Sequence, residues 1–267
     1  MSLFHKKFTL VIDAGNTNIV FALAEPARAL RILSEYRHET NLRATADDLA
    51  VWILPLLQLE KYGFDDVSGV VIASVVPALD YALRGFARKY LKAEPLFITP
   101  DIRLPFAVKL PHPEQLGADR LANAAAARAY YACPAIVIDF GTATTFDVMD
   151  AAGDYIGGVI APGPQQSLRA LTDAAAKLPH IHITRPLRAL GQDTVSAMQS
   201  GLFWGYAGLI EGILKQLQLE NGAAKNIIAT GGLAKLFQEH IPDLTAMDTD
   251  ITLRGALSLY EYQRVKA

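Results

Sequence analysis

A single cysteine, Cys133, leaves this chain of 267 residues without an internal disulfide. That points to a reducing compartment, the cytoplasm. No histidine lies near Cys133 in sequence, so it reads as a small buried hydrophobe, not a nucleophile. Although 51% of the residues are hydrophobic, no window approaches the ~18 unbroken apolar residues that a membrane-crossing helix needs. The run Phe8–Ile12 is cut short by Asp13, which excludes a secretory signal, and Met1–Lys7 reads as a frayed extension. Charge is scarce as well. Only 19% of residues are charged, the formal net charge is −2, and no basic run exceeds two residues. A face for nucleic acid is therefore not expected, nor is a membrane partner. What remains is enough apolar material for two domains at roughly 150 residues each.

The apolar segments alternate with turn signals. Phe8–Ile12 and Ile19–Leu23 read as strands around a tight turn, followed by strands at Leu30–Tyr36, Val67–Val76 and Leu96–Ile98. Ala46–Glu60 reads as a helix capped by Thr45, with a break or kink at Pro55. Tyr81–Tyr90 reads as another helix. Pro100, Pro105, Pro111 and Pro113 mark an extended connection and place a domain boundary between residues 115 and 116. The second half repeats the scheme: a helix at Leu121–Tyr131, strands at Ala135–Ile138, Thr144–Met149 and Tyr155–Ile160, and a helix opened by Pro164. A long helix at Val195–Leu219, a strand from Asn226, a helix after Gly232 and a last helix at Thr252–Val265 follow; the last of these is a candidate to pack back on the first domain.

The internal repeat carries the chemistry. VIDAGNTN (Val11–Asn18) and VIDFGTAT (Val137–Thr144) are near copies, one per half, which implies two similar domains facing each other across a cleft. In each, a strand ends in Asp-x-Gly. Glycine admits close backbone approach, and backbone N–H groups with the hydroxyls of Thr17, Thr142, Thr144 and Thr145 and the amides of Asn16 and Asn18 suit phosphate oxygens. Asp13 and Asp139 would repel phosphate directly but suit a cation bridging to it. One such turn is also an ordinary hairpin; two in corresponding places favour a paired grip on a polyphosphate. Neither is a Walker A loop or a GxGxxG fingerprint. Gly231 and Gly232, between a strand and a helix, leave room for a flat adenosine, although paired glycines also serve plain strand–helix packing. Asp119 in LGADR either caps a helix or orients an acceptor hydroxyl, with Arg120 either exposed or forked onto a carboxylate.

DAGNT (Asp13–Thr17), LGADR (Leu116–Arg120), DFGTATT (Asp139–Thr145), GGVIAPG (Gly157–Gly163) and ATGG (Ala229–Gly232) occur in this order. Together they resemble the type III pantothenate kinases over nearly the whole chain. The resemblance implies an α/β fold of two similar ribonuclease H-like (actin/Hsp70/sugar-kinase) domains, with mixed five-stranded sheets flanked by helices. It also implies a homodimer using ATP, Mg²⁺ or another divalent cation, and K⁺ or NH₄⁺, to phosphorylate the 4′-hydroxyl of pantothenate on the way to coenzyme A. By the same resemblance Asp13, Ala14, Gly15, Asn16, Thr17, Asn18, Ile19 and Val20 form the first ATP segment, with Asp13 near the divalent cation. Thr142, Gly231 and Gly232 contact ATP, and Asp139 holds the monovalent cation. Gly117, Ala118, Asp119 and Arg120 hold pantothenate, Asp119 is the catalytic base, and Thr194 reaches pantothenate across the dimer. Leu110 departs from the family, which often has an aromatic there.

Two other readings stand beside this one: another small-molecule kinase of the same fold, and a regulatory nucleotide-binding protein without catalysis. His180 and His182 lack a third ligand and read as solvated surface; Phe203, Trp204 and Tyr206 read as packing.

Overall fold

The computed structural model describes residues 8–25, 31–174 and 178–265. The extension Met1–Lys7, and Leu30 at the expected start of the third strand, lie outside them. The chain divides into two compact units: residues up to Tyr130 together with those from Asp250 onward, and Tyr131–Thr249.

The first unit is built on strands β1 (Phe8–Ala14), β2 (Asn18–Ala24), β3 (Ile32–Glu39), β4 (Val67–Ser74) and β5 (Leu96–Phe97), in the order β3-β2-β1-β4-β5. β1, β2 and β3 run antiparallel in sequence, while β4 and β5 join in parallel. Leu10, Ile12 and Ala14 of β1 pack into one core with helices α1 (Ala46–Leu59) and α2 (Pro77–Tyr90). Strand alternation turns Thr9, Val11 and Asp13 to the opposite face. There lie α3 (Ala118–Tyr130) and α7 (Ile251–Arg264), the latter packed on β1 and β4.

α3 is rich in alanine for a packing reason. Ala122, Ala124, Ala126 and Ala127 are wholly buried. A side chain at Gly255 of α7 would begin 1.8 Å from the Ala122 carbonyl oxygen, so the two backbones nearly touch. The Thr252 hydroxyl donates to Asn123 Oδ1 at 2.8 Å across the same seam. This contact keeps α3 in the first unit, whereas the sequence places the division ahead of α3, between residues 115 and 116. α1 also runs unbroken through Pro55. Pro55 and Val51, whose carbonyl loses its i+4 donor, are both exposed, so water can satisfy that carbonyl.

The second unit has strands β6 (Ala135–Phe140), β7 (Ala143–Met149), β8 (Tyr155–Pro162), β9 (Asn226–Thr230) and β10 (Leu244–Met247). Their order, β8-β7-β6-β9-β10, and their directions reproduce those of the first sheet. Ile136, Ile138 and Phe140 pack with the long helix α5 (Thr194–Asn221) and with Phe237 of α6 (Ala234–Phe237); α4 (Pro164–Ala174) contributes Leu168. Cys133 is half-buried, not enclosed. Among the described residues no helix is long and apolar enough to cross a membrane.

Candidate functional site

The first repeat forms the β1–β2 hairpin. The Gly15 N–H donates to the Asn18 carbonyl at 3.0 Å, closing the turn, and Asn16 and Thr17 are exposed at its tip. Thr40, just past β3, ties the tip down: its N–H donates to the Thr17 carbonyl at 3.0 Å and its hydroxyl to the Gly15 carbonyl at 2.6 Å. On the other side the Val75 N–H donates to the Ala14 carbonyl at 3.0 Å, joining the hairpin to the end of β4. Asp13, half-buried, shares with α3 the face of the sheet away from the core. Ala14, Ile19 and Val20 are buried, so they shape the hairpin through packing, and their side chains are withheld from a ligand.

Asp119 sits in the first turn of α3. Its carboxylate folds back over Gly117, so that a Cβ at Gly117 would lie 2.6 Å from Asp119 Oδ1 and 3.6 Å from Val75 Cγ1. Oδ1 also accepts the Arg120 N–H at 2.8 Å. Val75 therefore links the two motifs: its backbone holds the hairpin and its side chain backs the LGADR turn. Burial raises the Asp119 pKa above the usual carboxylate value, against the lowering effect of the Arg120 N–H and the Arg120 charge. A carboxylate short of solvation binds a proton more readily than an ordinary Asp. Ala118 is buried, Arg120 half-buried.

In the second unit, Asp139 is the next-to-last residue of β6, paired with Thr145 of β7 and Thr230 of β9. The turn Gly141–Thr142 is exposed. Two segments converge on it. A side chain on Gly163, after β8, would begin 2.2 Å from the Thr142 carbonyl and 2.9 Å from that of Gly141. Gly231 has φ +92°, and a Cβ there would lie 2.6 Å from the Phe140 carbonyl oxygen, so only glycine fits. Gly232 beside it is exposed with open space around it. The helix that follows is only the four residues of α6, so its dipole adds less at this loop than a full helix would.

The two repeats differ in register. Asp13 pairs with Val20, seven residues on, but Asp139 pairs with Thr145, six residues on. The tighter turn rotates the threonines. Thr145 lies opposite Asp139, while Thr144, expected among the phosphate donors, is fully buried with its hydroxyl against that of Tyr206. Thr194 is exposed at the start of α5, where Asp193 caps the helix by accepting the Ser196 N–H at 2.9 Å. That hydrogen bond holds the Asp193 pKa low. His180 and His182 are exposed. Among the described residues no group of three or more His, Cys, Asp or Glu could hold a metal ion. Thr40 escaped the sequence reading, because a lone threonine after a strand carries no signal; Tyr206, read as packing, does lie in the core, but nothing in the sequence announced its hydroxyl contacts.

A family model described as type III pantothenate kinase matches residues 9–216. A type III pantothenate kinase of Paramagnetospirillum magneticum is 51% identical over 252 residues, 94% of this chain and 96% of that protein. Among solved structures, a Campylobacter jejuni chain assigned to the Baf family of transcriptional activators superposes with a TM-score of 0.61 at 20% identity, covering 96% of this chain and 99% of that one. A ROK family glucokinase of Streptomyces griseus, with glucose and AMPPNP, gives 0.56 at 14% identity, covering 94% and 98%. The two structures speak to the fold alone, that of the actin/Hsp70/sugar-kinase group. With the family match over most of its length and half its residues shared with that relative, the chain belongs to the type III pantothenate kinase family.

Proposed function

We propose that this chain transfers the γ-phosphoryl group of ATP to the 4′-hydroxyl of pantothenate, the opening step of coenzyme A synthesis, in the cytoplasm. The observation that carries the reading is the half-buried Asp119 carboxylate, set over Gly117 and beside the Val75 that anchors the first hairpin. A proton acceptor thus lies at the end of the sheet where the first hairpin turns.

In the reaction the pantothenate hydroxyl oxygen bonds to the γ-phosphorus as the bond to the β–γ bridging oxygen breaks. ADP departs, and the hydroxyl proton passes to Asp119 and on to water. Phosphoryl transfer through a loose transition state asks mainly for alignment and charge neutralisation. Asp119 supplies alignment, and its burial makes it a stronger proton acceptor than an exposed Asp. Arg120 offers a planar fork to the pantothenate carboxylate. We assign nucleotide binding to Gly15, Asn16, Thr17, Asn18, Thr142, Gly231 and Gly232. A divalent cation bound with ATP would neutralise charge on its phosphates. A single carboxylate, Asp13, fits that ion, because Mg²⁺ in kinases is held by one or two carboxylates together with phosphates and water. Asp139 would hold K⁺ or NH₄⁺.

The partner is a second copy of the chain, with Thr194 reaching the pantothenate of the other protomer. Support comes from the exposed face of α5. Between Thr194 and Glu211 that face has no charged residue, and Gly201, Gly205, Gly208 and Gly212 lie along it with open space where a Cβ would point. Helix-interior glycines each cost about 0.5–1 kcal/mol, a cost that close approach of another helix would offset.

The test is coupled ADP release with pantothenate, run with and without K⁺ or NH₄⁺. Turnover that needs pantothenate and rises with the cation is expected. ADP release that ignores pantothenate but responds to another alcohol would overturn the assignment.

A further inference from the structure

Tyr206, in the middle of α5, is buried, and its hydroxyl meets two groups. One is the Thr144 hydroxyl at the start of β7; the other is the Pro162 carbonyl at the end of β8, at 3.3 Å. A carbonyl can only accept, so the tyrosine gives its one proton to Pro162 and accepts that of Thr144. Burial pushes the Tyr206 pKa up to about 12, which keeps the proton in place throughout the neutral range.

The groups just beyond this junction are those that would meet the nucleotide. Gly163 follows Pro162 and rests against the carbonyls of Gly141 and Thr142. The Tyr206 ring lies 6.3 Å from that of Phe140, whose backbone Gly231 closely approaches, and 5.0 Å from that of Phe237 in α6. One side chain thus touches the strand before the turn, the strand after it, and the helix behind the glycine pair.

We infer that Tyr206 is a positioning residue for the nucleotide: its hydroxyl clamps β7 to β8 and so fixes the Gly141–Thr142 turn against Gly163. The inference rests on the proposed role of that turn in holding ATP. Thr144 then acts through Tyr206 and not as a phosphate donor.

A double-mutant cycle on the full-length protein tests it, with Tyr206→Phe, Thr144→Val and the pair. Each change removes one hydroxyl and keeps the shape. Each single variant should raise the KM for ATP about tenfold and leave the KM for pantothenate within about twofold, and the pair should be no worse than the worse single variant, because both break the same hydrogen bond. A merely structural hydroxyl would lower Tm and leave the KM for ATP unchanged, which would overturn the inference. If Tyr206→Phe does not fold, the near-isosteric Thr144→Val reads the same bond alone. Equilibrium binding of a non-hydrolysable ATP analogue separates this claim from the choice of acceptor. Loss of nucleotide affinity in the variants supports the clamp even where pantothenate proves the wrong substrate, and unchanged affinity refutes it even where pantothenate proves right.

Discussion

Gly117→Ala isolates the position of one carboxylate. The backbone at Gly117 is not among the positive-φ positions, so alanine is conformationally acceptable there. Its Cβ would make an ordinary 3.6 Å contact with Val75 Cγ1, but it would lie 2.6 Å from Asp119 Oδ1. The carboxylate has to retreat by about 0.8 Å, the difference between that approach and an ordinary 3.4 Å contact. A misplacement near 1 Å can cost about 100-fold in rate, so kcat should fall roughly 10- to 100-fold. Stability should move the other way, by about 0.4–1 kcal/mol, because alanine restricts the unfolded chain more than glycine does. Steady-state kinetics with pantothenate and ATP, beside thermal melts, read both. A folded variant with Tm held or raised, the KM for ATP intact and kcat cut is the expected result. Wild-type kcat in Gly117→Ala would refute the placement of Asp119 as the group that aligns the hydroxyl.

Asp119→Asn should remove most turnover while nucleotide binding persists; retention of near-normal turnover would exclude Asp119 as the base. Because burial raises its pKa, the acid limb of the kcat/KM profile should lie above the ordinary carboxylate range near ~3.9, and a profile flat down to that range would count against the role. The same shift sets a stability sign. A group that binds its proton more tightly when folded contributes stability below its unfolded pKa, and that contribution is lost as pH rises through the folded pKa. Asp119→Asn should therefore be no less stable than the parent at neutral pH, measured by denaturant melts. Arg120→Lys should chiefly raise the KM for pantothenate, since an ammonium lacks the two-pronged donor geometry; an unchanged KM would remove Arg120 from the substrate site. Gly205→Leu on α5 should shift the protein toward monomer in sedimentation, and an unaltered dimer would place the interface elsewhere.

The parts of this site that could be read in the sequence are those whose chemistry is local. A strand ending in Asp-x-Gly declares a hairpin within eight residues, and both hairpins form where the two repeats lie. The parts that could not be read depend on partners far along the chain. The division after Tyr130 follows from the seam between Ala122 and Gly255, and nothing near α3 announces that a helix from the other end of the sequence will cover it. β10 is a four-residue strand of alternating partial burial, too short to separate from a loop by pattern. Thr144 shows why motif letters are an incomplete guide. Aligned by sequence, it stands where Asn18 stands in the first repeat, but the second hairpin closes one residue sooner and turns it inward. Period-two alternation makes every side chain beyond a turn depend on turn length, so a one-residue difference decides which threonines face away from the core. Thr145, opposite Asp139, inherits the outward position, and Thr144 becomes part of what holds the turn still. Thr40 and Tyr206 occupy parallel places in the two units. Each holds a repeat hairpin from a neighbouring element by side-chain hydroxyl contacts. Each is specified by packing that only the folded chain supplies.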